Sequence, residues 1–173
     1  MPAIETPSIR GLSDRRPAIR ANDFTEPSSS SRKILTFFKQ LIAEGRSTSR
    51  FLQIVKTYQE MRSSLDACAA LPDNWDSYGA EKPSPHSVEA THRFLERLFA
   101  ELLMPNRVIP SAEGGIAVYF NSDNKTAYLE YRNSREVILA MFDDHSDPII
   151  VELTENDADE SRALSLIRSY ITG

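Results

Sequence analysis

A chain of 173 residues, 40% hydrophobic and 26% charged, has the make-up of one soluble domain with an extension, large enough to bury a core without staples. Its single cysteine, Cys68, excludes a disulfide framework and cysteine-ligated zinc, and no apolar run reaches the ~18 residues of a membrane span, so a cytoplasmic location is expected. The net charge of −5 is uneven, with +1 over residues 1–32 and −6 over the remainder.

Residues 1–32 carry Pro2, Pro7, Pro17, Pro27 and the serine run 28–31 but few large apolar groups, which is the composition of a disordered tail. Its arginines (Arg10, Arg15, Arg16, Arg20 and Arg32) are diluted by acids. Nucleic acid is expected to meet the chain only here, as salt-sensitive contact with phosphates.

A single domain is expected over 33–173. Ile34, Leu35, Phe37, Phe38, Leu41 and Ile42 fall on one helical face that Gly45 stops. Ser47-Thr48-Ser49 offers a cap for a second helix, in which Phe51, Val55, Tyr58, Met61, Leu65 and Cys68 recur at three- or four-residue spacing. The two form a helical hairpin, and Cys68 reads as a small buried hydrophobe of the second. Pro72 ends that helix. Ser84-Pro85 opens a third, with Val88, Thr91, Leu95, Leu98 and Leu102 inside, Phe94 and Phe99 flanking, and a stop at Pro105-Asn106.

From Arg107 the apolar period changes to two. Strands are expected over 107–110, 116–120, 126–132, 136–142 and 149–153, with Pro110 marking an edge. Loops this short join antiparallel neighbours. Asn156 or Asp157 caps a last helix whose inner row is Ala163, Leu164, Ile167, Tyr170 and Ile171. The expected fold is α+β: a helical hairpin and a third helix on a four- to five-stranded antiparallel meander, with a C-terminal helix.

The stretch Asp73-Asn74-Trp75-Asp76-Ser77-Tyr78-Gly79-Ala80 carries two readings. As a latch, Trp75 plugs its indole between helices and sheet while Asp73 or Asp76 caps exposed amides. As a recognition patch, Trp75, Asp76 and Tyr78 face a partner. With Pro83-Ser84, the leucine-rich helix, Pro105, Pro110-Ser111 and Gly114-Gly115, the run resembles a group of small uncharacterised bacterial proteins whose usual form is NWDGYGA…P followed by a meander. The resemblance covers Leu71 to about Tyr131, and some members stand among mobile or defence-type genes. Ser77 replaces their usual glycine, and Ala117–Phe120 stands where a Glu-Trp often does. The resemblance implies no catalytic residues.

Between Asp143 and Glu160 lie eight acids and no Lys or Arg, the pattern of a solvated surface or of a site for a basic partner. Asp143, Asp144 and Asp147 supply oxygen ligands for a cation, but hairpin tips are commonly acidic and no metal is assigned. His86 and His92 stand six apart, off a shared helical face, and read as cap or solvent residues. Arg93, Arg97 and Arg107 read as solvated. Glu130 and Arg132 alternate on the solvent side of a strand; with Asp123 or Glu113 they would be the carboxylates and cation of a metal-dependent nuclease.

These patterns favour a non-catalytic protein-binding module, in its most concrete form an antitoxin-like or accessory subunit of a bacterial defence or toxin–antitoxin system. No catalytic residue or cofactor is assigned. A basic protein partner would meet Asp143, Asp144 and Asp147, anchored by Phe37 and Phe38 or by Trp75, Asp76 and Tyr78. A homo-oligomer stays open. The alternatives are a metal-dependent nucleic-acid-processing enzyme and a DNA-binding protein using the N-terminal arm.

Overall fold

The structure, a computed structural model, describes residues 48–172. The expected helix over 34–42, with Phe37 and Phe38, and the arginine-bearing segment 1–32 lie outside the described residues. Among the described residues no helix is long and apolar enough to cross a membrane.

Helix α1 (Thr48–Ala69) buries Met61, Leu65 and Cys68 along one face. Pro72 stops it by disfavouring helix at Leu71, whose N–H returns to Cys68 O at 3.2 Å. Helix α2 (Pro85–Ala100) starts where sequence places it: the extended Ser84 accepts the Ser87 N–H on its hydroxyl, and Pro85 occupies the first turn.

Its end differs from expectation. The helix stops at Ala100, not at Pro105-Asn106. Leu103 N–H donates to Leu98 O and Leu102 N–H to Phe99 O, with Leu102 at φ 55. This left-handed C-terminal cap usually takes glycine, so nothing in the residue type announces it. Leu102 therefore leaves the inner row, while Phe94, expected as a flank, is fully buried beside Ala90, Leu95 and Leu98.

The five strands β1 (Arg107–Pro110), β2 (Gly115–Ser122), β3 (Lys125–Arg132), β4 (Val137–Asp143) and β5 (Ile149–Leu153) pair antiparallel in chain order. The fold is α+β. Ile116, Val118, Phe120, Leu129, Tyr131, Leu139 and Met141 point to one face and form a single core with α1, α2 and helix α3 (Asp157–Thr172). The alternation in the strands thus buries one face against all three helices. Asn156 caps α3, its side-chain oxygen accepting the Asp159 N–H at 2.8 Å, and Asp159 in turn accepts the Thr154 N–H at 2.9 Å.

One backbone position is sterically closed. Gly115 sits at φ +133 with an imagined Cβ 2.2 Å from Tyr131 O, so β2 and β3 meet closer than any side chain permits. Gly115→Ala is expected to destabilise the domain by about 3 kcal/mol or more, through strain and separation of the β2–β3 ladder. Guanidinium denaturation checks it; a loss within the error of the wild type would contradict the close approach.

Candidate protein-binding site

The loop from Leu71 to Ser84 is held by its own acids and amides. Asp76 Oδ1 accepts from Tyr78 N at 2.8 Å and Ala80 N at 3.1 Å, and Asn74 Oδ1 accepts from Gly79 N at 2.7 Å. Asp73 accepts from Lys82 N and lies 3.4 Å from Lys82 Nζ. The capping role expected of Asp73 and Asp76 is what the geometry displays. Asn74, Ser77 and Gly79 all have positive φ, a conformation short polar residues and glycine tolerate best.

Trp75 does not plug the core. It is half-buried, outside the core cluster, and its Nε1 donates to Glu81 O at 3.4 Å. The latch is another residue, Asn133, in the β3–β4 turn. Its Oδ1 accepts from Ser84 N at 2.7 Å and Ser87 Oγ at 3.2 Å, and its Nδ2 donates to Lys82 O at 2.9 Å. Sequence reading passed over Asn133 because an asparagine in a hairpin turn is already accounted for by the turn; its partners lie 46 to 51 positions away. Tyr78, by contrast, is 94% exposed at the tip of the loop. An open cleft of about 540 Å³ runs beside it, lined by Asp73, Asn74, Glu81, Lys82 and Pro85.

The acidic run is not one solvated surface. Arg97 donates to Glu160 at 2.8 Å and to Asp157 at 3.2 Å; Arg93 donates to Glu155, which His86 Nε2 also faces. The arginines of α2, expected as a solvated face, thus bind the start of α3, and His86 is neither cap nor free. Asp143 accepts from His145 N, which holds its carboxyl below the ordinary range, and Asp159 is lowered chiefly by the Thr154 hydroxyl. Asp144, Asp147 and Glu152 have no such partners among the described residues.

The other sheet face carries Tyr119, Tyr128 and Phe142 in ring contact, with the Arg107 guanidinium 4.4 Å from the Tyr119 ring centre. Large neighbours enclose smaller ones there. Glu130, expected to face solvent, is 6% exposed: Ser111 Oγ donates to it and Arg132 Nε lies 3.5 Å away. Arg132 also pairs with Glu113 and Glu136, so these carboxylates neutralise a cation. Among the described residues no group of three or more His, Cys, Asp or Glu side chains could hold a metal ion. Cys68 is buried in the core, and desolvation pushes its thiol up from the ordinary value, which leaves it less nucleophilic.

Besides Leu52 of α1 and Tyr78, the exposed large apolar groups among the described residues are two neighbours on β5. Ile149 is 49% and Ile150 67% exposed, and successive residues of a strand point to opposite faces. Of the residues sequence singled out, Tyr78 is set out in water and Asp144 and Asp147 flank the isoleucines. Asp76 and Asp143 are engaged with their own loops.

The roles of loop residues separate by mutation. Asn133→Ala removes several hydrogen bonds between sheet and α2 and should cost about 2 kcal/mol, whereas Tyr78→Ala should lie within about 0.5 kcal/mol of wild type; paired denaturation curves check both. Asp76 is held below its ordinary 3.8 foremost by the Tyr78 N–H, then by that of Ala80. A lowered folded-state value means its contribution is complete above 3.8 and lost as pH falls through the lowered value. Protection of the Tyr78 and Ala80 amides, taken relative to their intrinsic exchange rates at each pH, should hold above 3.8 and fall as pH drops through the lowered value, and Asp76→Asn should abolish that pH dependence. Set against known protein families, curated proteins and solved structures, the chain matches none of them.

Proposed function

We propose that the protein is a non-catalytic module that acts by binding a basic protein partner. The observation that supports this most is the pairing of two exposed isoleucines, Ile149 and Ile150, with Asp144, Asp147 and Glu152, whose charges are unpaired among the described residues. Apolar anchors within a rim of one charge sign are how interfaces combine burial with partner choice. The most concrete form of the reading is an antitoxin-like or accessory subunit of a bacterial defence or toxin–antitoxin system, a setting suggested by the resemblance of Leu71 to about Tyr131 to small bacterial proteins, some of which stand among mobile or defence-type genes.

The test is retention of a partner from the native host on immobilised protein. The triple variant Asp144→Lys, Asp147→Lys, Glu152→Lys should lose the partner while keeping its thermal transition, since surface changes of this kind move stability by only about 0.5 kcal/mol each. Retention by wild type should weaken as salt rises. Undiminished retention by the triple variant would remove the acidic surface from the reading.

A further inference from the structure

The two edges of the sheet are treated differently. β1 is four residues long, ends in Pro110, which has no N–H to offer, and is packed by α1. β5 pairs with β4 on one side only, Leu139 opposite Val151 and Ala140 opposite Ile150. No strand or backbone group among the described residues pairs with its other side. Natural proteins usually blunt such an edge with lysine, proline or a bulge. Here Pro148 precedes the strand and Glu152 lies within it, yet the edge keeps Ile149 and Ile150 exposed.

The two isoleucines point to opposite faces of the sheet. A partner laid on either face would cover one and leave the other in water. A strand added beside β5 covers both, because its own alternating side chains reach both faces, and it takes up the unpaired backbone groups. We infer that the free edge of β5 is a strand-addition site for an extended segment with alternating apolar side chains flanked by Lys or Arg. This rests on the protein-binding reading above and names the partner's form and the contact.

Charge selects the occupant. Asp147 precedes the strand and Glu152 lies within it, and no Lys or Arg occurs from Glu136 to Ser161. A second copy pairing edge to edge would bring two acidic segments with no Lys or Arg together, and like charges across a strand pair are destabilising. A strand with basic flanks meets the same acids favourably.

The probe is a synthetic peptide of alternating valine and threonine with paired lysines at each end, beside an analogue N-methylated at alternate backbone amides, both added to the full chain. Amide hydrogen exchange at residues 149–153 and the affinity are read. The parent peptide should slow exchange there. N-methylation, which removes backbone donors and keeps charge and apolar surface, should weaken binding by about tenfold or more, as should Ile150→Ser. Equal binding of both peptides would overturn strand addition and leave the acidic surface standing. Protection of 149–153 in the chain alone, with a dimer in sedimentation, would assign the edge to a second copy and also overturn it. Failure of both peptides would overturn it too, and the Lys triple variant then decides the broader reading: loss of the host partner keeps it, retention removes it.

Discussion

The side-chain amide of Asn133 joins the two layers of this protein. Its oxygen takes the Ser84 N–H and the Ser87 hydroxyl, and its nitrogen gives to Lys82 O. Asn133 is itself fixed because its N–H donates to Gly114 O at 3.0 Å, where the chain turns through Gly114 and Gly115 to begin β2. Ser84 is the cap of α2. The turn between two strands therefore determines where a helix on the neighbouring layer begins. One polar side chain can do this because backbone groups at a helix start lack intrahelical partners and accept whatever is positioned for them.

Placement of α2 carries over to α3 electrostatically. Arg93 and Arg97 leave α2 on one side and meet Glu155, Asp157 and Glu160 at the start of α3. Acids there also suit the positive end of the helix dipole. Glu160 is nearly buried, so its charge needs the guanidinium, and removing Arg97 would strand it, whereas Arg97 also holds Asp157 and the Ser161 hydroxyl. Three of the eight acids of the run are drawn into this work of assembly, and its exposed, unpaired charge among the described residues lies in the neighbourhood of β5.

The fold class was legible because periodicity reports which face is buried. The change from 3.6 to 2 near Arg107 and the short loops sufficed for a meander in chain order. Ser84-Pro85 and Asn156 announced helix starts by chemistry specific to caps. The end of α2 was hidden because Leu102 adopts positive φ against its residue type. Trp75 misled because a large aromatic in a polar loop invites a place in the core, whereas hydrogen bonds to Asp76, Asn74 and Asn133 hold this loop and the indole stays outside the core cluster. Glu130 and the α2 arginines misled for one reason: alternation tells which side a charge is on but not what stands opposite. The exposed edge needed three-dimensional information as well, since Ile149 and Ile150 read in sequence as ordinary strand residues.

An open apolar edge is a hazard that needs a restraint. A strand with isoleucine on both faces invites any neighbour, copies of itself above all, because every copy presents the same unpaired backbone. Charge at the edge restrains pairing selectively: the acids here repel an identical acidic chain and leave the edge open to a strand of opposite charge. The same Asp147 and Glu152 that keep the molecule from pairing with itself thus narrow what it can pair with. Solubility and partner choice at β5 are then two consequences of one charge distribution, confined there because Glu155, Asp157, Asp159 and Glu160 are held by Arg93, Arg97 and the α3 cap.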